Sequence, residues 1–300
     1  MKELIGNPPV SIDDWTKFLR SERIDYIFCT TSSPYLDLTN SHLIFSGKKL
    51  GIPVIGVFDH WKGFDRFFRE ESPDFLPDHI CCIDDFSRQR LLEILDGQAA
   101  EIHTVGHPHL EEICREDWSG AGGEFKRILL VSQPNTADRS FKGIFFSKVE
   151  GYRLIDRLTD LISSLFSGKG GAEIRIRMHP KERCPESLPL GVEYDHQSWN
   201  QSLRENQVFI GFDSMALVEA YLAGKFCIRL GFPEFKNISD NSIPLRFGVE
   251  ARELAEFARV IEEGLAAGDP KTGDRKLCAE FFGSTDRVLA VLERLMGQSG

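Results

Sequence analysis

The sequence predicts an α/β fold in two domains. Short runs rich in β-branched residues alternate with helical patterns along the 300 residues, which is typical of βαβ units that build a parallel sheet. Domains commonly contain about 150 residues, so a chain of this length is expected to form two. A small-residue and glycine stretch at 118–124 has the chemistry of a linker. We therefore predict domains at 1–123 and 124–300.

The elements of the first domain are predicted by β-rich runs separated by helical periodicity. The first convincing strand is predicted at 24–29, after a helical pattern at 13–19. Further strands are predicted at 54–58, 80–83 and 102–105, and helices at 38–50 and 86–95.

The second domain restarts the same alternation. Its first strand is predicted at 128–132, and apolar residues then recur at three- and four-residue intervals over 151–165, which indicates an amphipathic helix. Further strands are predicted at 174–178, 208–210 and 226–230, and further helices at 254–265 and from 284 to 295. Together the halves predict two Rossmann-like domains facing a cleft.

Charge and cysteine content exclude several classes of protein. A net charge of −10 with a pI near 5.4 argues against broad electrostatic binding of nucleic acid. The seven cysteines include no Cys-x-x-Cys pair, so neither a disulfide framework nor a zinc ribbon is indicated. No stretch has the apolar length of a membrane helix or a signal peptide. We expect a soluble, cytoplasmic protein.

Polar residues follow three predicted strands of the second domain. His179-Pro180 ends one strand, Asp213-Ser214 ends another, and Ser132-Gln133 ends the first. The carboxyl ends of parallel strands are where an open α/β sheet binds ligands. Asp213 or Ser214 can cap the next helix, whose free N–H groups favour an anion. The sequence therefore predicts a nucleotide phosphate site, although His179 could instead bond a carbonyl within its turn.

Glu219 lies five residues beyond Ser214 on the same predicted helix. A carboxylate there can reach a ribose hydroxyl. The alternative is that it is solvated or paired with Lys225. Both interpretations stay open.

The first domain offers candidates at its own strand ends. Asp59 and His60 follow the strand at 54–58 and can act as a general base toward an acceptor hydroxyl, with Trp61 stacking on a sugar ring. The alternative is that the aromatic residues after them make this segment part of the core. Ser32, in a run of hydroxyl residues, and His107, in a Gly-His-Pro-His turn, are further candidates for the cleft. His107 and His109 lack a third ligand, so we predict no metal.

Several of these residues resemble signatures of a known group, the bacterial glycosyltransferase-like proteins of surface-polysaccharide synthesis with GT-B architecture. The second half is similar to polysialyltransferase-like, capsule-sugar and polyol-phosphate transferases, and the first half to related surface-carbohydrate proteins. The matching segments are His179-Pro180, Gly211-Phe212-Asp213-Ser214, Glu219-Ala220, Gly224-Lys225, Phe58-Asp59-His60-Trp61, Arg66-Phe67, Leu76-Pro77-Asp78 and Gly106-His107-Pro108.

The resemblance implies a metal-independent glycosyltransferase without a cofactor. Its substrates would be a CMP-, CDP- or UDP-linked sugar, bound by His179, Ser214 and Glu219, and a glycan acceptor activated by Asp59 or His60. Peripheral contact with a membrane or with polysaccharide-assembly machinery fits this interpretation. Which base, sugar and oligomeric state apply stays open.

The late first strand departs from the GT-B pattern, which usually begins with a strand and a glycine-containing turn. We therefore expect a first domain shortened at its N-terminus. That expectation keeps two alternatives in view: an epimerase or hydrolase of a nucleotide sugar, which needs no acceptor, and a non-catalytic nucleotide-sugar-binding subunit. Fold alone does not choose among the three.

Overall fold

The computed structural model describes residues 11–30, 38–64, 75–97, 99–118, 126–134, 143–149, 151–167, 171–182, 187–233, 243–244, 246–266 and 275–297. The chain forms two compact units, one comprising Met1–Pro108 and Phe281–Gly300 and the other His109–Glu280. Among the described residues, no helix has both the length and the apolar character needed to cross a membrane.

Helices and strands alternate along most of the chain, as the sequence predicts. In chain order they are α1 (Ile12–Glu22), β1 (Ile27–Thr30), α2 (Thr39–Leu50), β2 (Val54–Phe58), β3 (His79–Cys82), α3 (Asp85–Leu95), β4 (Glu101–Thr104), α4 (Pro108–Arg115), β5 (Lys126–Val131), β6 (Lys148–Val149), β7 (Tyr152–Arg153), α5 (Leu154–Phe166), β8 (Ala172–Arg177), β9 (Val192–Tyr194), α6 (Trp199–Glu205), β10 (Val208–Gly211), α7 (Met215–Leu222), β11 (Phe226–Leu230), β12 (Val249–Ala251), α8 (Leu254–Ala266), α9 (Arg275–Phe281) and α10 (Ser284–Gly297).

The first unit contains a parallel sheet with the strand order β1-β2-β3-β4. Part of its core forms where Leu19 of α1 and Ile44 of α2 pack against the first two strands, for example at Val54 of β2. The Ser11 side chain caps α1 by accepting from the Asp14 N–H at 3.2 Å. This sheet adds its strands in one direction, in the order in which the chain reaches them.

The last helix of the chain, α10, belongs to the first unit. The Tyr26 hydroxyl donates to the Leu295 carbonyl at 2.7 Å, and the His107 N–H donates to Ser284 Oγ at 3.0 Å. Gly106 has a φ of +84°, and a Cβ there would lie 2.1 Å from Ser284 Oγ, so only glycine fits this contact. The predicted domain 124–300 therefore differs from the observed second unit, because the final helix, α10, belongs to the first unit.

The other predicted boundary, at residue 123, also differs from the observed division. The helix α4 and the residues after it pack in the second unit: Arg204 Nη1 donates to the Asp117 carbonyl at 2.7 Å, and Lys225 Nζ donates to the Trp118 carbonyl at 2.9 Å. The compact unit accordingly begins at His109. Residues 119–124 of the predicted linker lie outside the described residues.

The second unit is built on a parallel sheet of six described strands in the order β12-β11-β10-β5-β8-β9. Its central strands are buried on both faces, because neighbouring residues along each strand, which point to opposite faces, are at most 1% exposed: Ile128 and Leu129, and Val208 and Phe209. The chain starts at β5, adds β8 and β9 on one side, and then returns to add β10, β11 and β12 on the other. The order therefore reverses between β5 and β10.

Candidate functional site

The candidate site of the second unit lies at the carboxyl edge of its sheet. Val131, at the end of β5, pairs with Arg177 of β8 on one side and with Gly211 of β10 on the other. The residues that follow these three strand ends are therefore neighbours along one edge. This is also where the strand order reverses, the position at which open α/β sheets form a ligand-binding crevice.

His179 and Glu182 are joined by a tight turn. The Glu182 N–H donates to the His179 carbonyl at 2.9 Å, which is the bond of a four-residue turn with Pro180 at its second position. The Lys181 N–H donates to Nδ1 of His179 at 3.1 Å. Because Nδ1 accepts this bond, the neutral ring carries its proton on Nε2 and presents that nitrogen as a donor. Burial, with a smaller effect of Lys181, lowers the pKa of His179.

The Glu182 carboxyl joins two strand ends. Its Oε1 accepts from Ser132 Oγ at 3.0 Å, and its Oε2 accepts from the His179 N–H at 3.2 Å. Burial raises the pKa of Glu182 to about 7 and outweighs these two hydrogen bonds, which lower it. A carboxyl with this pKa exchanges its proton near neutrality, which suits a general acid or base.

Gly143 lies against one side of this carboxyl. The Ile144 N–H donates to the Gln133 carbonyl at 2.9 Å, and Pro134 pairs with Gly143 in an isolated bridge. A Cβ on Gly143 would lie 2.9 Å from Ser132 Oγ and 3.0 Å from Glu182 Oε2. Gln133 thus serves the site through its main chain, which holds the segment at Gly143 in place.

Sequence analysis missed Glu182, because it stands in a Lys-Glu-Arg run that is typical of a solvated surface. A signal was present in the His-Pro pair. Proline favours the second position of a turn, and such a turn brings its fourth residue back to its first. His179-Pro180 therefore places Glu182 beside the strand end.

At the end of β10, the two predicted residues have different roles. Ser214 is the N-cap of α7 and accepts from the Ala216 N–H at 3.3 Å. The sequence predicted that either Asp213 or Ser214 would cap this helix. Asp213 is 4% exposed, and its Oδ1 accepts from the Ile243 N–H at 3.3 Å. Asp213 thus holds a neighbouring segment, whereas Ser214 marks the helix N-terminus at the sheet edge.

Glu219 has protein partners in the second unit. Its Oε2 accepts from Trp199 Nε1 at 2.5 Å and lies 3.3 Å from His109 Nε2, and its side chain is 13% exposed. These contacts tie α7 to α6 and α4. A role at a ribose hydroxyl stays a prediction.

Arg177, the last residue of β8, is a cation at the same edge, but its guanidinium is held internally. It donates to Asp195 Oδ2 at 2.6 Å and to the Gln197 carbonyl at 2.6 Å, and the Asp195 side chain is fully buried. This ion pair fixes the segment that leads into α6. Arg177 therefore supports the edge structurally.

Comparison with solved structures identifies the architecture. UDP-GlcNAc 2-epimerase from Neisseria meningitidis bound to UDP-GlcNAc matches with a TM-score of 0.62 and 12% identity, over 97% of this chain and 84% of that one. UDP-GlcNAc 2-epimerase from Methanocaldococcus jannaschii matches with a TM-score of 0.57, 13% identity and coverage of 94% and 79%. The structure of S. aureus MnaA with UDP matches with a TM-score of 0.60, 10% identity and coverage of 95% and 80%.

The chain has a GT-B fold. No protein-family model and no curated protein matches its sequence. The GT-B part of the predicted resemblance is thereby confirmed, while its finer part, toward polysialyltransferase-like and polyol-phosphate transferases, stays a prediction. At these identities the likeness concerns the fold.

In the first domain of this GT-B fold, Asp59 and His60 follow β2 as predicted. Asp59 is exposed. Nδ1 of His60 accepts from the Lys62 N–H at 3.0 Å, so the neutral ring carries its proton on Nε2. That tautomer makes His60 a donor, which fits the predicted role of general base less well than Asp59 does.

The predicted stacking of Trp61 on a sugar is wrong. Trp61 is fully buried, and its Nε1 donates to Asp84 Oδ2 at 2.9 Å. Asp84 also caps α3 through the Ser87 N–H at 2.8 Å. The alternative interpretation of this segment as core is confirmed for Trp61 and for Phe64, whose ring packs 4.7 Å from that of Phe58.

The two remaining candidates have different outcomes. His107 follows the turn at Gly106, and its main chain is held by Ser284, so it lies where α10 meets the end of β4. Ser32 lies outside the described residues. A ligand role for either residue stays a prediction.

Proposed function

We propose that this chain is an enzyme that binds a UDP-linked sugar at the carboxyl edge of its second sheet and epimerises or hydrolyses it. The observation that carries the proposal is the Glu182 carboxyl, with a pKa of about 7, bonded to Ser132 and His179 where the strand order reverses. Similar folds occur in UDP-GlcNAc 2-epimerases, including one bound to UDP-GlcNAc. The second sheet thus offers both a nucleotide site and a group for proton transfer.

The diphosphate would lie between His179 and the N-terminus of α7. Nε2–H of His179 donates to a phosphate oxygen, and the phosphate charge then favours protonation of the ring. The positive end of the α7 helix dipole favours an anion at the same edge. The His179 donor and this dipole stabilise the leaving diphosphate without a metal ion in the proposed reaction.

Epimerisation requires a group that removes a proton from a carbon and a group that returns one to the opposite face. The diphosphate leaves the anomeric carbon as the neighbouring carbon loses its proton, and it adds back to the anomeric carbon when a proton is returned to the opposite face. Anion stabilisation and proton transfer are therefore needed together. Glu182 has a pKa that allows it to accept and release a proton near pH 7. We assign it the proton-transfer role.

The test is turnover of UDP-GlcNAc by the purified chain in D₂O, followed by proton NMR. Epimerisation produces a second UDP-sugar with deuterium at the inverted carbon, and hydrolysis produces free UDP and sugar. CMP- and CDP-linked sugars are run in parallel to test the donor base. Glu182→Gln is expected to abolish turnover while keeping UDP binding, and the exposed Glu193→Gln is the matched control. Full turnover by Glu182→Gln would remove Glu182 from the reaction.

Glycosyl transfer is the second candidate, and the exposed carboxylate of Asp59 at the end of β2 is the observation that favours it. Such a group can accept the proton of an acceptor hydroxyl. UDP release that depends on an added glycan acceptor, and that is lost in Asp59→Asn, would support transfer over epimerisation. UDP binding without turnover under either condition would favour a nucleotide-sugar-binding subunit.

A further inference from the structure

A cluster of two histidines and a glutamate lies toward the amino-terminal edge of the first unit's sheet, whereas Asp59 and His60 follow a strand at its carboxyl edge. His79 and Glu101 are the first residues of the adjacent strands β3 and β4, and they are paired in the sheet register. His103 follows Glu101 by two residues on β4 and therefore points to the same face of the sheet. We propose that His79, Glu101 and His103 bind a divalent transition-metal ion.

The distances within the cluster match those between ligands of one small ion. Nε2 of His103 lies 3.3 Å from Nδ1 of His79, and Nδ1 of His79 lies 3.4 Å from Oε2 of Glu101. One ligand atom from each residue lies within 4.8 Å of the other two. With metal–ligand bonds of about 2.0–2.1 Å, ligands of a tetrahedral zinc site are about 3.3 Å apart, so the imidazole pair needs little movement to share an ion.

Burial and ligand type indicate the class of metal. The side chains of His79 and His103 are 17% and 11% exposed, whereas that of Glu101 is 54% exposed and leaves the cluster open on one side. Two imidazoles with one carboxylate suit Zn²⁺, Co²⁺, Ni²⁺ or Cu²⁺ better than Mg²⁺ or Ca²⁺.

Arg294 of α10 competes with the metal for the same groups. Its Nη2 donates to Glu101 Oε1 at 2.8 Å and lies 3.4 Å from Nδ1 of His103. The Arg294 side chain is 49% exposed, so it can turn away into solvent when an ion enters. A permanent positive charge beside the ligands weakens metal binding, and its removal is expected to strengthen it.

The experiment is titration of the chelator-treated, full-length chain with Zn²⁺ by calorimetry and with Co²⁺ by visible absorption. We expect one equivalent to bind. The variants His103→Gln and Glu101→Gln should weaken binding by more than about tenfold, and Arg294→Gln should tighten it. His196→Gln, which changes an exposed histidine of the second unit, is the matched control. Circular dichroism of each variant separates lost binding from lost folding.

Three outcomes would overturn the proposal. The first is no binding of either metal to the unmodified chain. The second is equal affinity in His103→Gln, Glu101→Gln and the control. The third is a thiolate-to-cobalt charge-transfer band, which would place the ion at cysteines. Because the readout is metal binding, failure here is independent of the proposed turnover of UDP-sugars.

Discussion

The two units carry the same short motif at corresponding places, and they use it differently. His60-Trp61-Lys62 follows β2 in the first unit, and His179-Pro180-Lys181 follows β8 in the second. In both, Nδ1 of the histidine accepts from the N–H of the lysine two residues later, at 3.0 Å and 3.1 Å. Each histidine is thereby held as a donor through Nε2.

What differs is the surroundings of each histidine. In the first unit the next residue, Trp61, is buried and bonded to Asp84, and the described strands run in sequential order. In the second unit the turn after His179 returns the Glu182 carboxyl to the strand end, beside the point where the strand order reverses. A histidine at a strand end therefore indicates a site only together with its neighbours and with the topology.

The largest effect is expected from a change at Trp61, the buried residue of the motif in the first unit. Trp61→Ala should lower the free energy of unfolding by about 3–5 kcal/mol, because it leaves a cavity and removes the donor to Asp84. Urea denaturation followed by circular dichroism measures the loss. Trp61→Phe, which keeps most of the ring volume, should cost less, and equal stability of the two variants would contradict a role in packing.

A smaller effect is expected at His179, the histidine of the motif in the second unit, to which we assign ligand binding. His179→Ala should weaken UDP binding by about 1.5–3 kcal/mol, a factor of about 10–150, because a charge-assisted hydrogen bond is lost. His60→Ala is the matched control, with an expected change below about twofold. Calorimetric titration with UDP measures both. Equal losses in the two variants would abolish the distinction between the two motifs.

The smallest effect concerns the carboxyl that only the second motif possesses. Because burial raises the pKa of Glu182 to about 7, the folded chain keeps this proton at pH values where the unfolded chain has lost it. Relative to Glu182→Gln, the unmodified chain should lose on the order of 1–2 kcal/mol of stability as pH rises from about 4.5 to about 7, after allowance for solvent screening. The difference should be constant below and above that window.

Urea unfolding of both chains at a series of pH values measures this difference. Since all other titrating groups are shared, they cancel in the comparison. Glu193→Gln serves as the surface control. A difference that grows in the opposite direction, with the unmodified chain gaining stability as pH rises, would mean that the carboxyl is stabilised in its ionised form.

The sequence predicted the strands best where apolar runs are bounded by clear breaks. The predictions at 54–58 and 226–230 coincide with β2 and β11. The helix α4 was missed because Pro108 suggested a turn, although proline is also common at the first position of a helix. The short strands β9 and β12, of three residues each, are too brief to show a period.

The candidate site was predictable in its strand-end residues but not in its chemistry. His179 and Ser214 follow from the position of polar residues after apolar runs. The order of the strands, which locates the reversal between β5 and β10, depends on tertiary pairing that periodicity does not contain. The same holds for the pairing of His79 with His103, which are 24 residues apart and meet only across two strands.

The return of α10 to the first unit affects how the chain folds during synthesis. In the first unit, Val105 packs in one apolar cluster with Leu295 of α10, and Gly106 contacts Ser284 of the same helix. The whole of His109–Glu280 is translated in between. At about 5–20 residues per second, the ribosome takes on the order of 10–35 s to make that intervening unit. The second unit can therefore complete its fold before the first unit does. Until α10 is synthesised, the apolar residues of the first unit that pack against this helix stay exposed.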